Sequence, residues 1–177
     1  MKQLRPHDSV LFTGLQDFIK ECCHRDMVMA EIGCWIGEST FLFANAVKVI
    51  YAIDAWDVNI SNEPVLLDSN LFGVAETVFD YKMMKFDNVV KIKDTSIVAS
   101  RVFGYQTLDL VYIDANHDYH SFLNDIRIWA PKVKIGGLIT GHDYTHENGY
   151  GVIQAVDEVF GKPDKVFEDT SWSVRVI

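Results

Sequence analysis

Several acids and imidazoles in this sequence come directly after short apolar runs. Asp54 closes KVIYAI, Asp94 follows NVVKIK, and Asp114 follows LDLVYI with His117 three residues on. His142 and Asp143 follow a run ending in GLITG, and Glu31 opens the turn EIGCWIGEST. A carboxylate can accept from hydroxyl donors or hold a cation, and a neutral imidazole can take a proton near pH 7. For one Asp after a strand, a turn or helix cap is the ordinary reading. The same placement at successive strand ends argues for a shared site.

The elements that must carry these residues follow from hydrophobic periodicity. Asp8 to about Cys23 has Val10, Leu11, Leu15, Phe18, Ile19 and Cys22 on one helical face, so residues 1–25 are expected to form a capping helix. Met27–Ile32, Lys48–Ile53, Asn88–Ile92, Leu108–Ile113 and Lys134–Thr140 read as strands, the last entered through Gly136–Gly137. Helices are expected at Glu38–Val47, Leu66–Phe86, Ser96–Val102, Tyr119–Ala130 and Tyr150–Phe160. Lys165–Glu168 and Ser171–Ile177 read as two closing strands. The stretch 55–70 has no clean period, and a lid over the site competes with an ordinary surface excursion. This alternation predicts one α/β domain over 1–177, a Rossmann-like doubly wound sheet of seven mostly parallel strands with an antiparallel C-terminal strand. Ligands of such sheets bind at the carboxyl ends of the strands.

Composition narrows the partner. The 177 residues carry a net charge of −9, which opposes a nucleic-acid backbone and favours a small molecule. No apolar run approaches the roughly 20 residues that cross a bilayer, and MKQLRPHDSV lacks a signal-peptide core, so no membrane association and a cytoplasmic location are expected. Cys22, Cys23 and Cys34 read as reduced, partly buried thiols. A homo-oligomer is compatible with all of this.

The turn at Glu31–Thr40 separates two cofactor classes. Aligned on a dinucleotide fingerprint from Gly33, the second glycine is Trp35 and the third is Glu38. An indole and a carboxylate where a pyrophosphate must approach disfavour an NAD-dependent oxidoreductase, which remains an alternative. The turn resembles the first motif of class I S-adenosylmethionine-dependent methyltransferases, Asp/Glu-x-Gly-x-Gly-x-Gly, through Glu31, Gly33 and Gly37. Trp35 stands in place of the middle glycine, as it does in many small-molecule O-methyltransferases. The resemblance implies that Glu31, Gly33, Cys34, Trp35, Gly37, Ser39 and Thr40 hold S-adenosylmethionine. It further implies that Asp54, with Ala55 and Trp56, grips the ribose, that Asp94, Thr95 and Ser96 meet the adenine, and that Asp114 borders the cofactor.

The stretch Asp109–Tyr144 is similar to the O-methyltransferase subfamily that includes sugar and macrolide enzymes and is related to catechol O-methyltransferase. Asp114, His117, Tyr119, Asp125, Trp129, Pro131, Gly136, Gly137, His142, Asp143 and Tyr144 match its pattern. The resemblance implies methylation of a hydroxyl on a sugar or secondary metabolite, with Asp114, His117 and His142 catalytic. By position, Asp114, His142 and Asp143 would hold a divalent metal. Mg²⁺ prefers oxygen ligands, so His142 points either to Mn²⁺ or to a metal-free site in which a histidine is the base. Asp125, on a helix bearing Phe122, Ile126 and Trp129, reads as a structural hydrogen-bonder. A non-catalytic cofactor-binding or assembly subunit is the competing reading.

Overall fold

The computed structural model describes residues 10–57, 69–146 and 151–177. In chain order these residues form α1 (Val10–Cys22), β1 (Val28–Ile32), α2 (Glu38–Ala44), β2 (Val49–Asp54), α3 (Ser69–Met83), β3 (Val89–Lys93), α4 (Ser96–Ala99), β4 (Leu108–Ile113), α5 (Tyr119–Trp129), β5 (Val133–Gly141), α6 (Val152–Phe160), β6 (Lys165–Val166) and β7 (Trp172–Arg175). The strands build one sheet in the order β3-β2-β1-β4-β5-β7-β6. The pairs β1–β2, β2–β3, β1–β4 and β4–β5 are parallel, while β7 runs antiparallel to both β5 and β6. This is the predicted architecture.

Strand alternation sends successive side chains to opposite faces. Leu110 and Tyr112 pack with Met29 under α1 and α2, against Leu15, Phe18 and Phe43. Val111 and Ile113 pack with Ala30 and Ile32 on the other face, against Phe122, Ile126 and Trp129 of α5 and Val152 and Val156 of α6. Strand order reverses at β1, between β2 and β4, and right-handed crossovers then place the connecting helices on opposite faces. A crevice opens there.

Two expectations need correction and a third is sharpened. The glycine pair lies inside β5, within the expected Lys134–Thr140, and the pairing register with β4 shifts there between Leu108 and Leu110. Gly136 sits at φ 83°, and a Cβ on Gly137 would come 2.6 Å from the Asp109 carbonyl oxygen. The glycines therefore form a bulge inside a pairing strand. The helix expected to Val47 ends at Ala44, and the closing strands are shorter than predicted. Residues 1–9 of the expected capping helix, most of the 55–70 loop and the first residues of the helix expected from Leu66 lie outside the described residues.

Candidate functional site

A cavity of about 380 Å³ opens at the carboxyl ends of β1 to β4. Its walls come from the turn after β1 (Gly33, Trp35), the end of β2 (Asp54 to Asp57), the β3–α4 corner (Asp94 to Ile97) and the end of β4 (Asp114 to Asn116). Phe72 of α3 closes one side, and Ser121, Asn124 and Asp125 of α5 close another. Five aspartates line it (Asp54, Asp57, Asp94, Asp114, Asp125), with no Lys, Arg or His among the lining residues.

Asp54 knits the upper wall. Its Oδ2 accepts the backbone N–H groups of Cys34 (3.0 Å) and Trp35 (2.9 Å), and its Oδ1 accepts that of Trp56 (2.8 Å). Three donors leave part of a carboxylate's roughly four acceptor sites for a ligand. Trp35 and Trp56 both adopt positive φ, 46° and 44°, a conformation costing about 1–3 kcal/mol that surrounding contacts must sustain. Those contacts are visible. The Trp56 indole N–H donates to the Trp35 carbonyl at 2.9 Å, Trp35 stands edge-on to Phe72, and Trp56 packs on Phe79. Gly33 is required beneath them, because at φ 90° an added Cβ would lie 2.2 Å from the Asp114 carbonyl oxygen.

Sequence reasoning placed more of the turn on the cofactor than the cavity takes. Gly33, Trp35, Asp54, Ala55, Trp56, Asp94, Thr95, Ser96 and Asp114 line it; Glu31, Cys34, Gly37, Ser39 and Thr40 do not. The reason for Glu31 is parity. It shares a strand face with Met29, so it points under α2, where it is fully buried and accepts the hydroxyls of Ser39 and of Thr40 (2.5 Å for the latter). Burial is the main reason its carboxyl is pushed up to about 7, against the lowering effect of those two hydroxyls. Cys34 is buried against Ala52 and Phe79, and burial holds its thiol well above the usual range. Gly37, at φ 76°, begins α2 with its Cα facing the Phe79 ring. These residues hold the turn's shape from behind.

At the β4–β5 rim, Asp114, His117 and Asp143 each present a ligand atom within 4.8 Å of the others. His117 Nε2 lies 2.9 Å from Asp143 Oδ2 and 3.4 Å from Asp114 Oδ1. The expected trio had His142 in place of His117. His142 Nδ1 instead sits beside the cluster, 3.2 Å from Asp143 Oδ1 and 4.0 Å from Asp114 Oδ1. Asp143, at φ 59°, sets Oδ2 against His117 and Oδ1 against His142. Burial would lower the pKa of His117, but the two carboxylates outweigh it and raise it to about 9. The same contacts, with His142, hold Asp143 well below the usual carboxylate range against the opposing effect of burial.

Residues on α5 were missed as site residues. Ser121, Asn124 and Asp125 recur at i, i+3, i+4, with Asp125 beside the apolar face of Phe122, Ile126 and Trp129. Asp125 is only 6% exposed.

A doubly wound sheet whose polar residues gather at the carboxyl ends of its strands binds its ligand at the switch point. Residues 30–144, well over half of the chain, match the family model described as a methyltransferase domain, and the chain belongs to that family. Its fold is shared with SMU.1697c of Streptococcus mutans in complex with SAH (14% identity, TM-score 0.58, 85% of this chain and 80% of that one). It is also shared with an S-adenosylmethionine-dependent O-methyltransferase from Thermotoga maritima (12% identity, TM-score 0.60, 82% of this chain and 49% of that one). Among curated proteins the chain is similar to the uncharacterized protein y4gI of Sinorhizobium fredii, 25% identical over 137 residues. That match spans 71% of this chain and 14% of y4gI. No helix among the described residues is long and apolar enough to cross a membrane.

Proposed function

We propose that this protein transfers the methyl group of S-adenosylmethionine to a hydroxyl oxygen of a small molecule. The observation that carries the cofactor reading is the cavity's charge. Five aspartates without a lining base suit a sulfonium that also bears an ammonium, and they repel a pyrophosphate. Methyl transfer turns the sulfonium into a neutral thioether, so the same field favours the reactant over the product. The family match supports this reading, and the NAD alternative has no basic group in the cavity to support it.

The acceptor oxygen forms its bond to the methyl carbon as the carbon–sulfur bond breaks, and its proton must leave. Asp114 belongs both to the cavity and to the rim cluster, so it links the two sites. Two carboxylates and one imidazole fit a nitrogen-tolerant divalent ion such as Mn²⁺, held by Asp114, His117 and Asp143 once His117 gives up its proton. Bound there, the ion would supply a Lewis acid that lowers the pKa of the hydroxyl. Two carboxylates raise the pKa of His117 to about 9, which makes it a poor base at neutral pH, so this reading assigns the acceptor's proton to His142, which stands beside Asp143.

Calorimetric titration with S-adenosylhomocysteine, followed by methyl-transfer assays on alcohols, catechols and sugars with and without a chelator, tests this reading. Binding and turnover that chelation abolishes and Mn²⁺ restores are expected. No binding with metal supplied overturns the cofactor assignment. Binding with no transfer across the panel favours the non-catalytic subunit, and turnover that survives chelation removes the metal.

A further inference from the structure

The cavity contains one polar chain that the reaction does not use. The Trp129 indole N–H donates to Ser96 Oγ at 2.8 Å, and the Ser96 hydroxyl donates to Asp125 Oδ1 at 2.5 Å. Trp129 is fully buried and Asp125 is 94% buried, so this chain is built into the junction of α4 and α5. Every donor in it points the same way, and it ends on a carboxylate in the cavity wall whose second oxygen has no protein partner among the described residues. That second oxygen opens on the cavity and is not sealed in the core, so a ligand's donor can take the place of water there.

The cavity's layout identifies that donor. The reacting end must lie near Asp114, and Asp54 stands at the end of β2 as the acceptor for sugar hydroxyls. The remaining volume, between the β3–α4 corner and α5, is where the base must go. Ile97 offers it an apolar surface, and Ser96 and Asp125 stand at its edge. The N–H donor that an adenine presents at its edge is the amine on C6. We propose that Asp125 is a specificity-determining residue that accepts this exocyclic amine and so selects a 6-aminopurine over a 6-oxopurine. The proposal rests on the cofactor reading above and adds to it a residue that its sequence context marked as structural.

The directed chain makes a sharp prediction for Asp125→Asn. Because Ser96 Oγ already accepts from Trp129, its own hydroxyl proton needs an acceptor, which holds the Asn carbonyl oxygen toward Ser96 and turns the amide N–H₂ into the cavity. A donor then faces C6. The test is calorimetric titration at pH 8 of wild type, Asp125→Asn and Asp125→Ala with S-adenosylhomocysteine and with S-inosylhomocysteine, its 6-oxo analogue. Wild type should prefer the adenosyl ligand by about ten- to a hundredfold, Asp125→Asn should reverse the preference, and Asp125→Ala should lose it. Equal affinities in wild type, or equal weakening of both ligands in the folded Asn variant, overturn the proposal while leaving the cofactor reading intact. Wild type binding neither ligand overturns the cofactor reading, and this inference with it. Because the wild-type preference is decisive alone, a variant that fails to fold does not rescue the idea.

Discussion

The two rims of the site are built on different principles. At the β1–β2 rim the charged groups are already satisfied by the protein. Asp54 takes three backbone N–H groups, Glu31 takes two hydroxyls, and two left-handed tryptophans are clamped by each other and by Phe72 and Phe79. At the β4–β5 rim the charged groups face one another: Asp114 and Asp143 both bear on His117, and His142 stands beside Asp143. The first rim is preformed, while the second depends on what is bound. Agents acting on protons or metal should therefore change turnover and leave cofactor affinity nearly constant.

The sharpest way to break this comparison is Asp114→Ala. It is expected to lower kcat by about a thousandfold, with the affinity for S-adenosylhomocysteine changing by less than about tenfold. Steady-state kinetics beside calorimetry measures both, and equal losses would erase the distinction between the rims. Gly33→Ala attacks the preformed rim through its backbone. A Cβ 2.2 Å from the Asp114 carbonyl oxygen, at φ 90°, should destabilise the fold by about 4 kcal/mol, read as a lowered urea midpoint.

Glu31 supplies a pH test. Folded, it keeps its proton to about pH 7, whereas unfolded it loses it near its ordinary value of 4.5. The native state thus binds the extra proton between those values, and Glu31's contribution makes stability fall as pH rises through that window, by roughly 3 kcal/mol in all. Asp114, the Cys34 thiol and the hydroxyls of Ser39 and Thr40 are the groups that face it. Glu31→Gln should flatten this part of the stability–pH curve in urea unfolding while leaving cofactor affinity within about twofold, since the side chain never reaches the cavity. A large loss of affinity would return Glu31 to the cofactor. The smallest effect expected is from Asp54→Ala, about a hundredfold weaker S-adenosylhomocysteine binding with kcat at saturation little changed.

Much of this was legible in the sequence, because some of its signals are local. Apolar runs ending in Asp54, Asp94 and Asp114 mark the strand ends whatever surrounds them, and the Gly33 and Gly37 spacing forces the turn between β1 and α2. Other assignments depended on direction. Whether Glu31 meets the cofactor or α2 is a matter of strand parity at a tight turn, and a one-residue difference reverses it. His117 and His142 each follow a strand end within three residues, and only the folded positions of Asp114 and Asp143 distinguish them.

What the sequence by itself determined is the doubly wound sheet, the edge at which its polar residues gather and a turn hostile to pyrophosphate. These follow from hydrophobic period and from residue size at single positions. What only the tertiary structure decided is which polar residues face the cavity and which face one another. Asp125 reads as a structural hydrogen-bonder in the sequence, and only when α4 and the ends of β2, β3 and β4 close around α5 does it join a cavity wall with Ser121 and Asn124. The sequence specifies a side chain's chemistry, but packing determines the medium it faces, and that medium decides whether a carboxylate is a solvated charge, a buried brace or a contact for a ligand.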